Sequence, residues 1–177
     1  MYDIIYNDKT FELMDSFPLN DDIKRNKILE IKLNGVNNIT NMESLFNDCF
    51  LLTSLDISNF ITNKVNNMNR MFAYCFSLEE LDLSSINTSL VTNMGYMFSG
   101  CFSLYEINVS NFDTSKVENM ENMFENCELI TSISISNFDL SEVVSMNSMF
   151  ENCFSLISLD LSSFSLSQKN MQLFFSG

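Results

Sequence analysis

Asn67-Met68-Asn69-Arg70-Met71-Phe72-Ala73-Tyr74-Cys75 recurs along the chain in a single register. Aligned without gaps, it returns as Asn93-Met94 through Cys101, Asn119-Met120 through Cys127 and Ser145-Met146 through Cys153. Asn41-Met42 through Cys49 is the first copy, with Leu45 in place of the second methionine. Cys49, Cys75, Cys101, Cys127 and Cys153 are therefore 26 residues apart each time. A fixed period of that length marks stacked repeats, in which each unit buries its apolar side against its neighbours.

Each repeat contains a stretch with strand character. Leu55-Asp56-Ile57-Ser58, Leu81-Asp82-Leu83-Ser84, Ile107-Asn108-Val109-Ser110, Ile133-Ser134-Ile135-Ser136 and Leu159-Asp160-Leu161-Ser162 alternate apolar with polar residues. That period of two sends one set inward and the other outward. Leu52, Leu78, Leu104, Ile130 and Leu156 lie three residues upstream, and Phe60, Ile86, Phe112, Phe138 and Phe164 read as a stacked core spine. The other half of the repeat has helical spacing. Val91, Met94, Met97, Phe98 and Cys101 fall at i, i+3, i+6, i+7 and i+10, and Val117, Met120, Met123, Phe124 and Cys127 repeat the pattern. This predicts one face of a short helix, with Thr88-Ser89, Thr114-Ser115 and Ser141 as N-caps.

The fold expected is therefore α/β, with one short parallel strand plus one short helix per 26-residue coil and about six coils over residues 28–177. Ile28, Ile31, Leu33 and Val36 belong to the first coil, and Leu166, Met171, Phe174 and Phe175 to an incomplete last one. Residues 1–27 do not fit the repeat. Ile4-Ile5-Tyr6 and Thr10-Phe11-Glu12-Leu13 flank Asn7-Asp8-Lys9, which predicts an N-terminal hairpin cap. The end, Leu173-Phe174-Phe175-Ser176-Gly177, has no polar cap, so either the chain is cut from something longer or another subunit covers this end.

The unit Cys-x-x-Leu-x-x-Leu-x-Leu-Ser-x-Phe-x-Thr-Ser-x-Val-x-Asn-Met-x-x-Met-Phe-x-x-Cys is carried nearly whole by Cys101, Leu104, Ile107, Val109, Ser110, Phe112, Thr114, Ser115, Val117, Asn119, Met120, Met123, Phe124 and Cys127. It resembles the repeat of the BspA-like leucine-rich-repeat surface proteins, a 26-residue repeat of the Mycoplasma-lipoprotein type. The resemblance covers residues 28–177. It implies a leucine-rich-repeat-like solenoid, with roles in adhesion or protein–protein contact at microbial and protist cell surfaces, and hence a cell-surface or secreted location. No signal peptide or anchor is read in the chain itself. The asparagine ladder usual in leucine-rich repeats departs here, its position holding Phe60, Ile86, Phe112, Phe138 and Phe164.

Composition narrows the function. Apolar residues make up 46% and charged ones 18% of 177 residues, which suits a domain with a real core. No apolar run reaches the roughly 18 residues of a membrane span. Nine basic against 23 acidic residues give a net charge of −14. Such a surface repels phosphate backbones and anionic lipids and is compatible with a basic protein partner.

Histidine is absent, so no Ser-His or Cys-His pair exists, and four glycines form no phosphate loop. No enzyme is expected, and no cofactor. Zinc sites take cysteines a few residues apart, not 26, and no metal is expected. Neighbouring coils place cysteines within disulfide range. An odd count, and a place at the end of each apolar face, favour buried free thiols instead. The methionines read as core for the same reason.

The outward strand positions remain. Asp56, Asp82, Asn108, Ser134 and Asp160 form one row, flanked by Ser54, Glu80, Glu106, Ser132 and Ser158. Calcium across Asp56 and Asp82 wants six or more oxygens, and the row is soon interrupted. The expected site is a protein-binding face comprising Asp56, Glu80, Asp82, Glu106, Asn108 and Asp160. The alternative is a structural subunit that stacks on another chain through Leu173, Phe174 and Phe175.

Overall fold

The computed structural model describes residues 3–6, 9–12, 32–34 and 39–161, and the chain divides into two units, 1–39 and 40–177. In the first, β1 (Asp3–Tyr6) pairs antiparallel with β2 (Lys9–Glu12), in the register Asp3 to Glu12 and Tyr6 to Lys9. On its other edge β1 takes β3 (Lys32–Asn34), also antiparallel, with Ile4 opposite Leu33. The repeat register assigns Leu33 to a first coil, whereas here it lies in the sheet of the hairpin. A lone two-stranded hairpin is marginal in water, and a third strand is the usual remedy.

The second unit is built of 26-residue coils joined by two parallel ladders. One consists of short strands, β4 (Glu80–Leu81) with β5 (Glu106–Ile107) and β6 (Ser132–Ser134) with β7 (Ser158–Asp160). The other is a chain of single parallel bridges, Asn41 to Asn67 to Asn93 to Asn119 to Ser145.

No helix occurs among the described residues, which corrects the expectation for the Asn-to-Cys segments. An α-helix would send every N–H to the carbonyl four residues back. Instead the N–H groups of Met68, Arg70, Phe72 and Tyr74 donate to the carbonyls of Asn93, Gly95, Met97 and Ser99 in the next coil, at 2.7–3.0 Å. Between them, Met71, Ala73 and Cys75 donate three residues back, to Met68, Arg70 and Phe72, at 3.1–3.3 Å. The N–H of Asn69 goes to the Oδ1 of Asn67 at 2.9 Å. Every N–H from Met68 to Cys75 thus has a partner, as a buried backbone requires.

Positive φ recurs every fourth residue: Ser44 and Asp48, Arg70 and Tyr74, Tyr96 and Gly100, Asn122 and Asn126, Ser148 and Asn152, from 53° to 74°. A left-handed residue at the third place of a four-residue turn is the mark of type II geometry, and it ends any right-handed helix. The segment is a run of turns. It still points Met68, Met71, Phe72 and Cys75 inward, at the i, i+3, i+4, i+7 spacing a helix face shows.

Columns fill the interior. Phe46, Phe72, Phe98, Phe124 and Phe150 stack face on face, with centroids 5.4–5.6 Å apart and planes within 3–8°. This stack, and not the Phe60–Phe138 column, carries the ring-on-ring contact from coil to coil, although Ile86, Phe112 and Phe138 are buried too. Met68, Met94, Met120 and their partners Met71, Met97 and Met123 are wholly buried, each side chain contributing on the order of 2 kcal/mol.

Two of the expected N-caps, Thr88 and Thr114, belong with Thr62 to a buried ladder instead, while the N–H groups of Ser89, Ser115 and Ser141 donate to the side chains of Asn87, Asp113 and Asp139. Thr88 donates its Oγ1 proton to the carbonyl of Asp113 (3.0 Å) and accepts the N–H of Asp113 (2.8 Å). Thr62 bonds Asn87 in the same way, and Thr114 bonds Asp139.

Candidate protein-binding face

Strand pairing sets the face. Glu80 lies opposite Glu106, and Ser134 opposite Asp160, while Leu81, Ile107 and Ile133 on the alternate positions are buried. Glu106, Asn108 and Asp160 line one shallow, open groove of about 510 Å³, together with Val109, Ser132, Ser134 and Ser158. Asp82 and Asn108 line a second of about 200 Å³. Three of the six expected residues therefore share one groove, and Asn108 also borders the second. Neither groove is lined by Asp56 or Glu80, although both are exposed.

The six differ in what their side chains already do. Asp56 Oδ1 accepts the N–H of Ser58 at 2.9 Å, Asp82 that of Ser84 at 2.8 Å, and Asn108 that of Ser110 at 3.0 Å. These are local turns, which at Asp82 and Asn108 fasten the chain just past β4 and β5. The hydroxyl and N–H of Ser58 hold the Asp56 carboxyl below its ordinary range. At Asp82 the N–H and hydroxyl of Ser84 do the same, against opposition from Asp56. Both carboxylates stay ionised at neutral pH with one oxygen committed. Glu79, Glu80 and Glu106 are exposed, and among the described residues none of their carboxylates has a hydrogen-bond partner shown.

A second set of columns escaped the sequence reading. Asn41, Asn67, Asn93 and Asn119 each accept the N–H two residues on, at 2.9–3.0 Å. An asparagine column thus stands at another corner, each side chain closing a turn in its own coil, and its signal was the Asn before each Met. The other set is an exposed aromatic row, Phe50, Phe76, Phe102 and Phe154, interrupted at Glu128. Phe76 and Phe102 stack at 4.9 Å, and Tyr74 meets Phe76 edge-on at 6.2 Å.

All five cysteines are free, and Cys75, Cys101 and Cys127 are buried. Each thiol from Cys75 onward donates to a phenylalanine carbonyl of the preceding coil at 3.1–3.3 Å: Cys75 to Phe46, Cys101 to Phe72, Cys127 to Phe98 and Cys153 to Phe124. Burial pushes the Cys101 thiol up to about 12 and the Cys153 thiol to about 11. Such thiols are poor nucleophiles. Among the described residues no group of three or more Cys, Asp or Glu is gathered to hold a metal, and no helix is long and apolar enough to cross a membrane. Leu173, Phe174 and Phe175 lie outside the described residues.

Parallel strands about one period apart, with phenylalanine and cysteine columns running from coil to coil, define a repeat protein. The chain belongs to the family described as "Mycoplasma protein of unknown function, DUF285", which it matches over residues 12–128 and again over 103–177. Two overlapping matches are what a repeated unit produces. No curated protein and no solved structure matches it.

Proposed function

We propose that this chain is a non-catalytic module that recognises or adheres to another protein through its polar strand face, as a leucine-rich-repeat-like surface protein of the BspA type. The observation that carries the reading is the open groove of about 510 Å³ over three coils, bordered by Glu106, Asn108 and Asp160. Stacked repeats present such continuous faces to partners. With the Asp56 and Asp82 carboxylates fastened in local turns, Glu80 and Glu106 are the groups of the face best placed to meet a partner. Their charge suits a basic one.

The test is capture of surface-biotinylated proteins by immobilised wild-type chain, Glu80→Lys/Glu106→Lys, and Glu118→Lys/Glu142→Lys, with folding checked by circular dichroism. The expected result is loss of captured protein in the first variant alone. Equal capture by all three would overturn the reading.

A further inference from the structure

The aromatic row and the carboxylates of the strand face meet on two adjacent coils. Ser103 N–H donates to the carbonyl of Phe76 at 3.2 Å, and Tyr105 N–H to that of Glu79 at 3.3 Å. Segments 76–80 and 102–106 therefore run side by side. One end carries the stacked Phe76–Phe102 pair, the rings 39% and 36% exposed and 4.9 Å apart. The other end carries Glu80 opposite Glu106, with Glu79 and the 46%-exposed Tyr105 between. Ring pair and carboxylate pair are four residues apart, and because the chain turns at Phe76-Ser77, with Leu78 N–H on the Cys75 carbonyl at 3.1 Å, they are closer than the roughly 13 Å that four extended residues span.

We propose that this patch binds an extended protein segment bearing a large apolar side chain and, three to four residues away, a pair of Lys or Arg residues. This deepens the strand-face reading and rests on it. The rings are already stacked on each other, and Phe76 meets Tyr74 edge-on, so docking freezes few side-chain rotations. Directly opposed Glu80 and Glu106 repel each other, and a basic pair relieves that repulsion, with the Tyr105 ring beside Glu106 offering a face to one of its cations. Arg70, which stands nearby in the sequence, is already placed over the Tyr96 ring at 4.7 Å. A second copy of the chain is the wrong occupant, because its own carboxylates and a net charge of −14 oppose the approach. Glu128, which replaces the phenylalanine in the next coil, bounds the apolar end.

The experiment uses the full chain and three fluorescein-labelled peptides of equal length, read by anisotropy at about 0.15 M salt, where exposed charges are screened beyond ~8 Å. One has phenylalanine three residues before an Arg-Arg pair, the second has serine for the phenylalanine, and the third has glutamines for the arginines. The first should bind roughly tenfold tighter than either other. Phe76→Ser/Phe102→Ser and, separately, Tyr105→Ser should weaken that peptide while leaving the melting curve in place. Glu80→Gln/Glu106→Gln should weaken it as well, and Glu118→Gln/Glu142→Gln should not. Equal binding of the three peptides, no binding of any, or a concentration-dependent dimer that Phe76→Ser/Phe102→Ser dissolves would each overturn the proposal. If partner capture needs Glu80 and Glu106 but is indifferent to Phe76 and Phe102, the aromatic anchor is wrong and the strand-face reading stands. If capture is indifferent to all four, both fail.

Discussion

Thr88 has one hydroxyl and uses it twice, giving its proton to the carbonyl of Asp113 and receiving the N–H of the same residue. It is 2% exposed, so water cannot replace either bond. Thr88→Val keeps the shape and orphans two backbone groups, and should destabilise the fold by about 2 kcal/mol or more, since each buried orphan costs roughly 1–3. Thr88→Ser keeps both bonds and should lose no more than about 1 kcal/mol. Urea titration of the pair decides it, and equal losses would assign the position to apolar packing alone. Gly100 is a second single-residue constraint. Its φ is 74°, and an added Cβ would come within 2.7 Å of the Tyr74 ring. Gly100→Ala should therefore cost about 1–3 kcal/mol. Ser44, at φ 58° on the surface, should become more stable as Gly by several tenths of a kcal/mol, and a lower urea midpoint for that variant would contradict the strain argument.

At the scale of the element, the run of turns explains what could and could not be read from the sequence. The inward set of Met94, Met97, Phe98 and Cys101 is visible as spacing, and so are the repeat, the strand pairs and the buried columns. The conformation behind the spacing is not, because a left-handed residue every fourth position points the same residues inward as a helix does. The residues that adopt it, such as Arg70, Tyr74 and Tyr96, carry no glycine signal; only Gly100 does. Donation to the next coil is a tertiary property that no local pattern prints. Likewise Asp56 and Asp82 are legible as exposed residues of the repeat, but that neither lies in a strand, and that they engage Ser58 and Ser84, is not. The cysteine that closes each run gives a pH test. A thiol near 9 when unfolded and near 12 when folded contributes its full stability below pH 9, and loses it as pH rises from 9 towards 12. The gap in unfolding free energy between wild type and Cys101→Ala should narrow by about 1.4 kcal/mol per pH unit in that window. A pH-independent gap would mean that the thiol is not held neutral.

At the scale of the molecule, register outranks residue identity. Duplicating residues 93–118 supplies a coil whose bonds and columns match both neighbours, so the longer chain should fold, with its urea m-value raised by roughly one-seventh. Inserting a single alanine after Phe98 offsets by one residue the bonds that span it, Tyr74 to Ser99 and Met94, Tyr96 and Phe98 to Asn119, Glu121 and Met123, and should uncouple the unfolding of the coils on its two sides. A single-insertion variant that still unfolds in one transition would show that the ladders tolerate slippage. The ladder between turn runs also has a mechanical meaning. The same four N–H groups tie each run to the next, Met68, Arg70, Phe72 and Tyr74 in one coil and Met94, Tyr96, Phe98 and Gly100 in the following. Pulled by its ends, such a chain should peel one coil at a time, in an optical trap giving a sawtooth of near-equal forces with each rip releasing about 9 nm of contour. The protein would behave as an extensible tether that yields in equal increments.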